Sequence, residues 1–330
     1  MNNKHTLIVF QRGFISVKKS LCLFVLLFLV TIIPAHAVSK QDDIIIIVPH
    51  KKEPYLSIIN SIQRDLSSQK NLNSRVFDLS FLRKNPRKHL NDKKLVISIG
   101  TKAIDFYLSS NFNSPFIISL TTKSALTAIT SKTKTNLSSN RSFVGGVSLD
   151  QPSRRYAKLA KLIKPKITSI GVALGPISRF KKESIDKELK QIGAKVNIVN
   201  IAYKDNPVKK LRTLFQNNQL VVVFPDKAEF NRSLARWVIS LSYKYQVPVI
   251  SYSKKYADAG ALISLYSSPT QIAKQTTEMA FSYLQHGFKP KLLLTPKYFD
   301  IRINQSVNQA LEINLPEKTE LLQRLNRVLP

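Results

Sequence analysis

Residues 44 to 48 read Ile-Ile-Ile-Ile-Val, five β-branched side chains in a row with no polar position among them. Branching at Cβ favours extended backbone, and an extended segment without polar alternation is stable only where both of its faces are covered. That is the condition of a strand inside a parallel sheet. The pattern recurs along the chain. Ser74 to Leu79, Leu95 to Ile99, Phe116 to Leu120, Ser169 to Leu174, Lys195 to Asn200, Leu220 to Phe224, Val247 to Ile250 and Ala261 to Ser264 are short, mostly apolar runs and read as further strands.

Helical patterns lie between them. After a loop containing Pro49 and Pro54, the apolar residues Leu56, Ile59, Ile62 and Leu66 recur at spacings of three and four. Helices are also predicted at Pro152 to Ile163, Lys181 to Ile192, Pro207 to Phe215, Lys227 to Tyr245 and Pro269 to Gln285, several opened by proline in the first turn. Alternating strands and helices with short loops define an α/β class with parallel sheets and right-handed crossovers. A second set of strands restarts after the polar stretch Ser131 to Ser142, which predicts two lobes with the chain passing between them near Gly145 to Gln151. Gly145-Gly146 reads either as a hinge between the lobes or as an ordinary turn.

The N-terminus obeys a different logic. No acid precedes residue 38; Lys18 and Lys19 stand before an apolar run from Leu21 to Ile33, and Ala35-His36-Ala37 has the small-x-small form of a signal-peptidase site. A cleaved signal peptide over 1–37 is expected, because the run is shorter than the roughly 20 residues a spanning helix requires. Cys22, the one cysteine, lies at the start of that run and would leave with it, so the processed chain has no disulfide, thiolate ligand or thiol nucleophile. Of the 330 residues, 293 would remain, with 47 Lys+Arg against 20 Asp+Glu, a net charge of +27. Export removes nucleic acid as the natural partner of so much positive charge. A solvated cationic surface, or attraction to anionic lipid, envelope polymer or an acidic partner, is what remains.

Catalytic signatures are missing. There is no His-Glu-x-x-His, no G-x-x-x-x-G-K-[ST], no G-x-G-x-x-G and no G-x-S-x-G, and after the signal only His50, His89 and His286 remain as histidines. No catalytic residue, metal ligand or cofactor is expected. His50 reads as an exposed loop histidine or as part of a crevice, and Trp237 as helix packing. Ligands of open α/β sheets bind beyond the carboxyl ends of the strands, so the functional crevice should be lined by the loops there. Asp226, after one such strand, reads as the N-cap of the next helix or as a ligand contact.

Several segments carry a resemblance. Val144-Gly145-Gly146-Val147-Ser148, then Leu162-Ile163-Lys164-Pro165-Lys166 leading into Ile170-Gly171-Val172, is similar to a region of ABC-transporter substrate-binding proteins of the tryptophan/tyrosine-type group. Val221 to Asp226, Val247 to Ser251, Ala257 to Leu262 and Pro296 to Asn304 resemble the same family, over roughly residues 42 to 328. The resemblance implies a two-lobed type I periplasmic-binding fold, with lobe 1 from 38–147 plus about 268–289 and lobe 2 from 148–267 plus about 290–330. It further implies a periplasmic monomer that captures a small, amino-acid-like molecule between its lobes and delivers it to an inner-membrane ABC permease. By family position the ligand would meet Glu53, Gly100, Thr101, Thr121, Thr122, Ser148, Pro176, Ser178, Asp226, Ser251 and Tyr252, and in a solute receptor Phe180 or Tyr252 would pack on its apolar part. Two departures bear on specificity: Lys52-Glu53-Pro54 replaces a common Glu-His-Pro, and Leu120-Thr121-Thr122-Lys123 replaces the family's Val-Thr-Asp-Pro, which removes an acid and adds Lys123. The same fold could serve a ligand sensor for a membrane signalling protein, and the +27 surface an envelope polymer-binding protein.

Overall fold

Ile44, Ile46 and Val48 pack into one apolar cluster while Ile45 and Ile47, alternating with them, pack into another on the opposite face. All five are 0–1% exposed, so the β-branched run is a central strand covered on both sides. The computed structural model describes residues 44–327 except 69–71, 111, 203–205 and 227–231; the expected signal peptide lies outside the described residues. Residues 42–330 form one unit.

In chain order the strands are β1 (Ile44–Val48), β2 (Ser74–Asp78), β3 (Leu95–Ile99), β4 (Phe116–Thr121), β5 (Phe143–Ser148), β6 (Ser169–Leu174), β7 (Lys195–Asn200), β8 (Leu220–Val223), β9 (Val249–Ser251), β10 (Ile263–Tyr266), β11 (Leu293–Leu294) and β12 (Asp300–Ile303). They form two six-stranded sheets, in the orders β11-β5-β4-β3-β1-β2 and β12-β10-β9-β8-β6-β7. Every pairing is parallel except β10 with β12 at one edge. The helices are α1 (Tyr55–Ser67), α2 (Leu79–Leu82), α3 (Pro86–Leu90), α4 (Thr101–Leu108), α5 (Lys123–Thr133), α6 (Ser153–Ile163), α7 (Lys182–Lys190), α8 (Pro207–Gln216), α9 (Arg232–Tyr245), α10 (Lys254–Asp258), α11 (Pro269–His286), α12 (Gln305–Ala310) and α13 (Lys318–Arg327). Among the described residues, no helix is long and apolar enough to cross a membrane.

The nine predicted strands are all present, shifted by at most two residues. The strand that follows the polar stretch, β5, belongs to the first sheet, and the second sheet begins at β6. Gly145 and Gly146 are neither hinge nor turn; they lie inside β5, where a Cβ on Gly145 would come 2.7 Å from Pro290 and one on Gly146 would come 2.4 Å from Ile118. Their small size lets the returning chain, with α11 and β11, pack onto that strand. Leu293 and Leu294 pair with β5, so the first lobe keeps the chain past residue 290, where the second lobe was expected to take over.

The chain crosses between the sheets three times, between β5 and α6, between β10 and α11, and between β11 and β12. Gln151 in the first crossover donates to the Ser267 hydroxyl in the second (2.7 Å), which donates to the Tyr298 carbonyl in the third (2.6 Å). Arg155 is anchored to the same knot, donating to Gln151 Oε1 at 2.6 Å and lying over the Phe299 ring at 4.1 Å. Side-chain hydrogen bonds therefore tie the three connections together.

Candidate functional site

Asp150 is the only acid between Asp105 and Glu183, a stretch with thirteen Lys and Arg. It sits where the first crossover leaves β5. One carboxylate oxygen accepts from the Lys123 backbone N–H at the start of α5 (2.6 Å) and from the Ser148 hydroxyl (2.9 Å). The other pairs with the Lys181 ammonium, in the loop after β6 of the second sheet. Both side chains are largely buried, at 12% and 15% exposure. A carboxylate at a helix N-terminus is favoured by the unpaired N–H groups and the helix dipole, and the added cation makes Asp150 a link between strand-end loops of the two sheets.

The remaining predicted residues fall at strand ends, as expected, but many are occupied by their own neighbours. Ser178 and Asp226 come together: Asp226 Oδ2 accepts from the Ile177 N–H (2.9 Å), the Ser178 N–H (2.6 Å) and the Ser178 hydroxyl (2.8 Å), and Asp226 is 3% exposed. Gly175 permits this packing, since a Cβ there would lie 2.5 Å from the carboxylate. Asp226 thus holds the Gly175–Ser178 turn that contains Pro176; the helix start expected at Lys227 lies outside the described residues. Thr122 is the N-cap of α5, accepting from the Ala125 N–H at 3.2 Å. The Ser251 hydroxyl is fully buried and bonded to Ser264 across β9 and β10. Glu53 is exposed and accepts from Ser57 at 2.7 and 2.8 Å, in the first turn of α1. Thr121 is buried, with its hydroxyl only 3.5 Å from the Thr122 carbonyl.

Gly100 has φ 85°, and a Cβ there would lie 2.6 Å from the Tyr55 ring. Tyr55, which sequence reasoning missed, therefore lies directly against Gly100, and His50 meets its ring edge-on at 5.0 Å. Thr101 follows at the start of α4, half-buried, with a hydroxyl that makes no hydrogen bond among the described residues. In the second lobe, Tyr252 is half-buried, edge-on to Tyr256 at 5.6 Å, and its hydroxyl likewise makes no hydrogen bond there. Burial, then the Asp226 charge, raise the Tyr252 pKa, so it stays a neutral donor and acceptor. Phe180 is 48% exposed next to Lys181. The structure therefore leaves Thr101, Tyr252 and the Tyr55, His50 and Phe180 rings as strand-end groups not consumed by internal bonds. Lys123 contributes its backbone to Asp150 and leaves its side chain exposed.

Two parallel-sheet lobes, three tied crossovers and strand-end loops that meet at Asp150 and Lys181 define a type I periplasmic-binding-protein fold. The family model described as "ABC transporter substrate binding protein" matches residues 66–326, and the chain belongs to that family. A ligand-free, open substrate-binding protein with adhesive properties from Clostridium difficile is 18% identical, with 83% of this chain and 96% of that one covered and a TM-score of 0.67. A conserved domain protein from Vibrio cholerae is 19% identical (86% and 98% covered, TM-score 0.56), as is an ABC domain from Streptococcus pneumonia in complex with L-Trp (85% and 97%, TM-score 0.53). A search of curated proteins found no match.

Proposed function

We propose that this protein is the exported, non-catalytic solute receptor of an ABC-type uptake system, closing its lobes over a small molecule and delivering it to an inner-membrane permease. Family membership supports a substrate-binding role, and the observation that carries the mechanism is the meeting of strand-end loops from both sheets at Asp150 and Lys181. Processing after Ala37 would release it into the periplasm as a monomer. Thr101 and Tyr252 would hydrogen-bond the polar end of the ligand, and the Tyr55, His50 and Phe180 rings would cover its apolar part. Exclusion of water on closure strengthens those bonds. An amino-acid-like ligand suits this mixture, in keeping with the L-Trp held by the Streptococcus pneumonia relative.

The test is thermal unfolding of the stripped protein against amino acids, nucleosides, sugars and small anions. A ligand at 100 times its Kd stabilises the folded state by about 2.7 kcal/mol, a clear rise in Tm. One chemical class should shift Tm, and Thr101→Val and Tyr252→Phe should weaken that shift while leaving the unliganded Tm nearly unchanged. No shift across the panel overturns the receptor reading. Uptake of the identified solute that persists without the protein would turn it into a sensor of that solute.

A further inference from the structure

The one tryptophan, read from sequence as packing, is 46% exposed at position 237 on α9, and Tyr243 on the same helix is 74% exposed. At 100° per residue, Arg236, Trp237, Tyr243 and Lys244 share the outer face, opposite the buried Leu234, Val238 and Leu241. α9 contains no acid. Lys254 and Lys255 open the neighbouring α10 and are exposed. None of these four cations forms an ion pair among the described residues. Between α9 and α10 runs an apolar groove of about 530 Å³, lined by Ile239 and Ala259 and rimmed by Arg236 and Lys255. It adjoins a second hollow of about 330 Å³ beside Val307 and Leu311, with Ile239 common to both.

We infer that this face docks on the surface of an anionic lipid bilayer. Its charge is complementary to an anionic leaflet, where each Lys or Arg held near the surface strengthens attraction. Two features favour lipid over a soluble anionic polymer. Trp and Tyr are the side chains that settle at the boundary between headgroups and hydrocarbon, and here they flank cations in the pattern of interfacial anchors. The apolar groove, whose adjoining hollow Tyr243 lines, gains nothing from a polyanion but can accept hydrocarbon. At one end the groove is lined by Ser253, so this face begins beside the strand-end loop that carries Tyr252.

Trp237 is its own reporter, being the sole tryptophan. The chain from residue 38, which contains every described element, is mixed with vesicles of phosphatidylcholine alone or with phosphatidylglycerol. Only the anionic vesicles should carry the protein down on sedimentation and shift Trp237 emission to the blue, with acrylamide quenching reduced. Both effects should weaken with salt. The triple variant Arg236→Glu, Lys244→Glu, Lys255→Glu should lose binding by about 100-fold. A control of equal charge change elsewhere, Lys88→Glu, Lys164→Glu, Lys166→Glu, should lose less than a tenth as much. Tyr243→Ser should weaken binding without altering its salt dependence. Circular dichroism melting confirms that each variant folds. The inference fails if both triple variants weaken equally, if the protein sediments with vesicles while Trp237 emission stays unmoved, or if soluble polyglutamate reproduces the emission shift.

Discussion

Gly100 shows how one residue can be dictated twice. Its φ of 85° with ψ of 151° is a region essentially reserved for glycine, and the Tyr55 ring fills the place of any side chain. Gly100→Ala should therefore cost about 2–3 kcal/mol of unfolding free energy. The double variant with Tyr55→Ser should recover only part of it, because truncating the ring relieves the clash and not the backbone; full recovery in urea melts would show that φ is unstrained. A second expectation concerns alkaline pH. Tyr107, Tyr156 and Tyr256 are held neutral by burial, with pKa values raised well above 10. Above pH 10 the unfolded chain ionises these tyrosines and the folded chain does not, so stability falls by up to about 1.4 kcal/mol per pH unit for each. Arg155 acts in the opposite sense. Burial, then the neighbouring Arg154, lower its pKa to about 10, so between pH 10 and 12.5 the unfolded state binds more protons and this residue offsets part of the loss. Chemical denaturation as a function of pH should show a decline starting near pH 10, steeper in Arg155→Met than in the parent.

The loops and crossovers owe their form to polar side chains that reach far along the chain. Ser178 and Asp226 are 48 positions apart, Ser267 and Tyr298 are 31, and Gln151 and Ser267 are 116. The Asp150 to Lys181 link is the one of these that joins the strand-end loops of the two lobes. Partly buried, with its carboxylate also held by the N-terminus of α5, it should carry real coupling. A double-mutant cycle with Asp150→Asn and Lys181→Met is expected to give about 1–2 kcal/mol in unfolding free energy. A value near zero would mean that solvent screens the pair and that the lobes are set by the crossovers alone.

For the molecule as a whole, the two sheets each bury their own pair of cores, and the crossovers and this link connect them. Small-angle scattering of ligand-free Asp150→Asn should report a larger radius of gyration than the parent, with solute restoring the parent value. An unchanged radius would remove the link from control of lobe separation. The strand inventory was readable from the order of residues because parallel strands buried on both faces favour unbroken apolar, β-branched segments, and β1 and β8 are such segments. β5 escaped because Gly145 and Gly146 interrupt its apolar run, and their reason, contact with Pro290 and Ile118, lies in other parts of the chain. α4 and α5 were also unforeseen, the latter hidden in a segment of Ser, Thr and Lys whose register is set by the Thr122 cap. The family was within reach of sequence, since its signature lies in local patterns. Which hydroxyls remain for a ligand was decided only in three dimensions. Ser178, Ser251 and Thr122 look as available as Thr101 and Tyr252 when read along the chain, yet folding gives the first three internal partners. The physical reason is that apolar burial is a property of each residue type and its neighbours in sequence, whereas a hydrogen bond is a property of two groups, often a hundred residues apart, that only the tertiary fold brings within 3 Å.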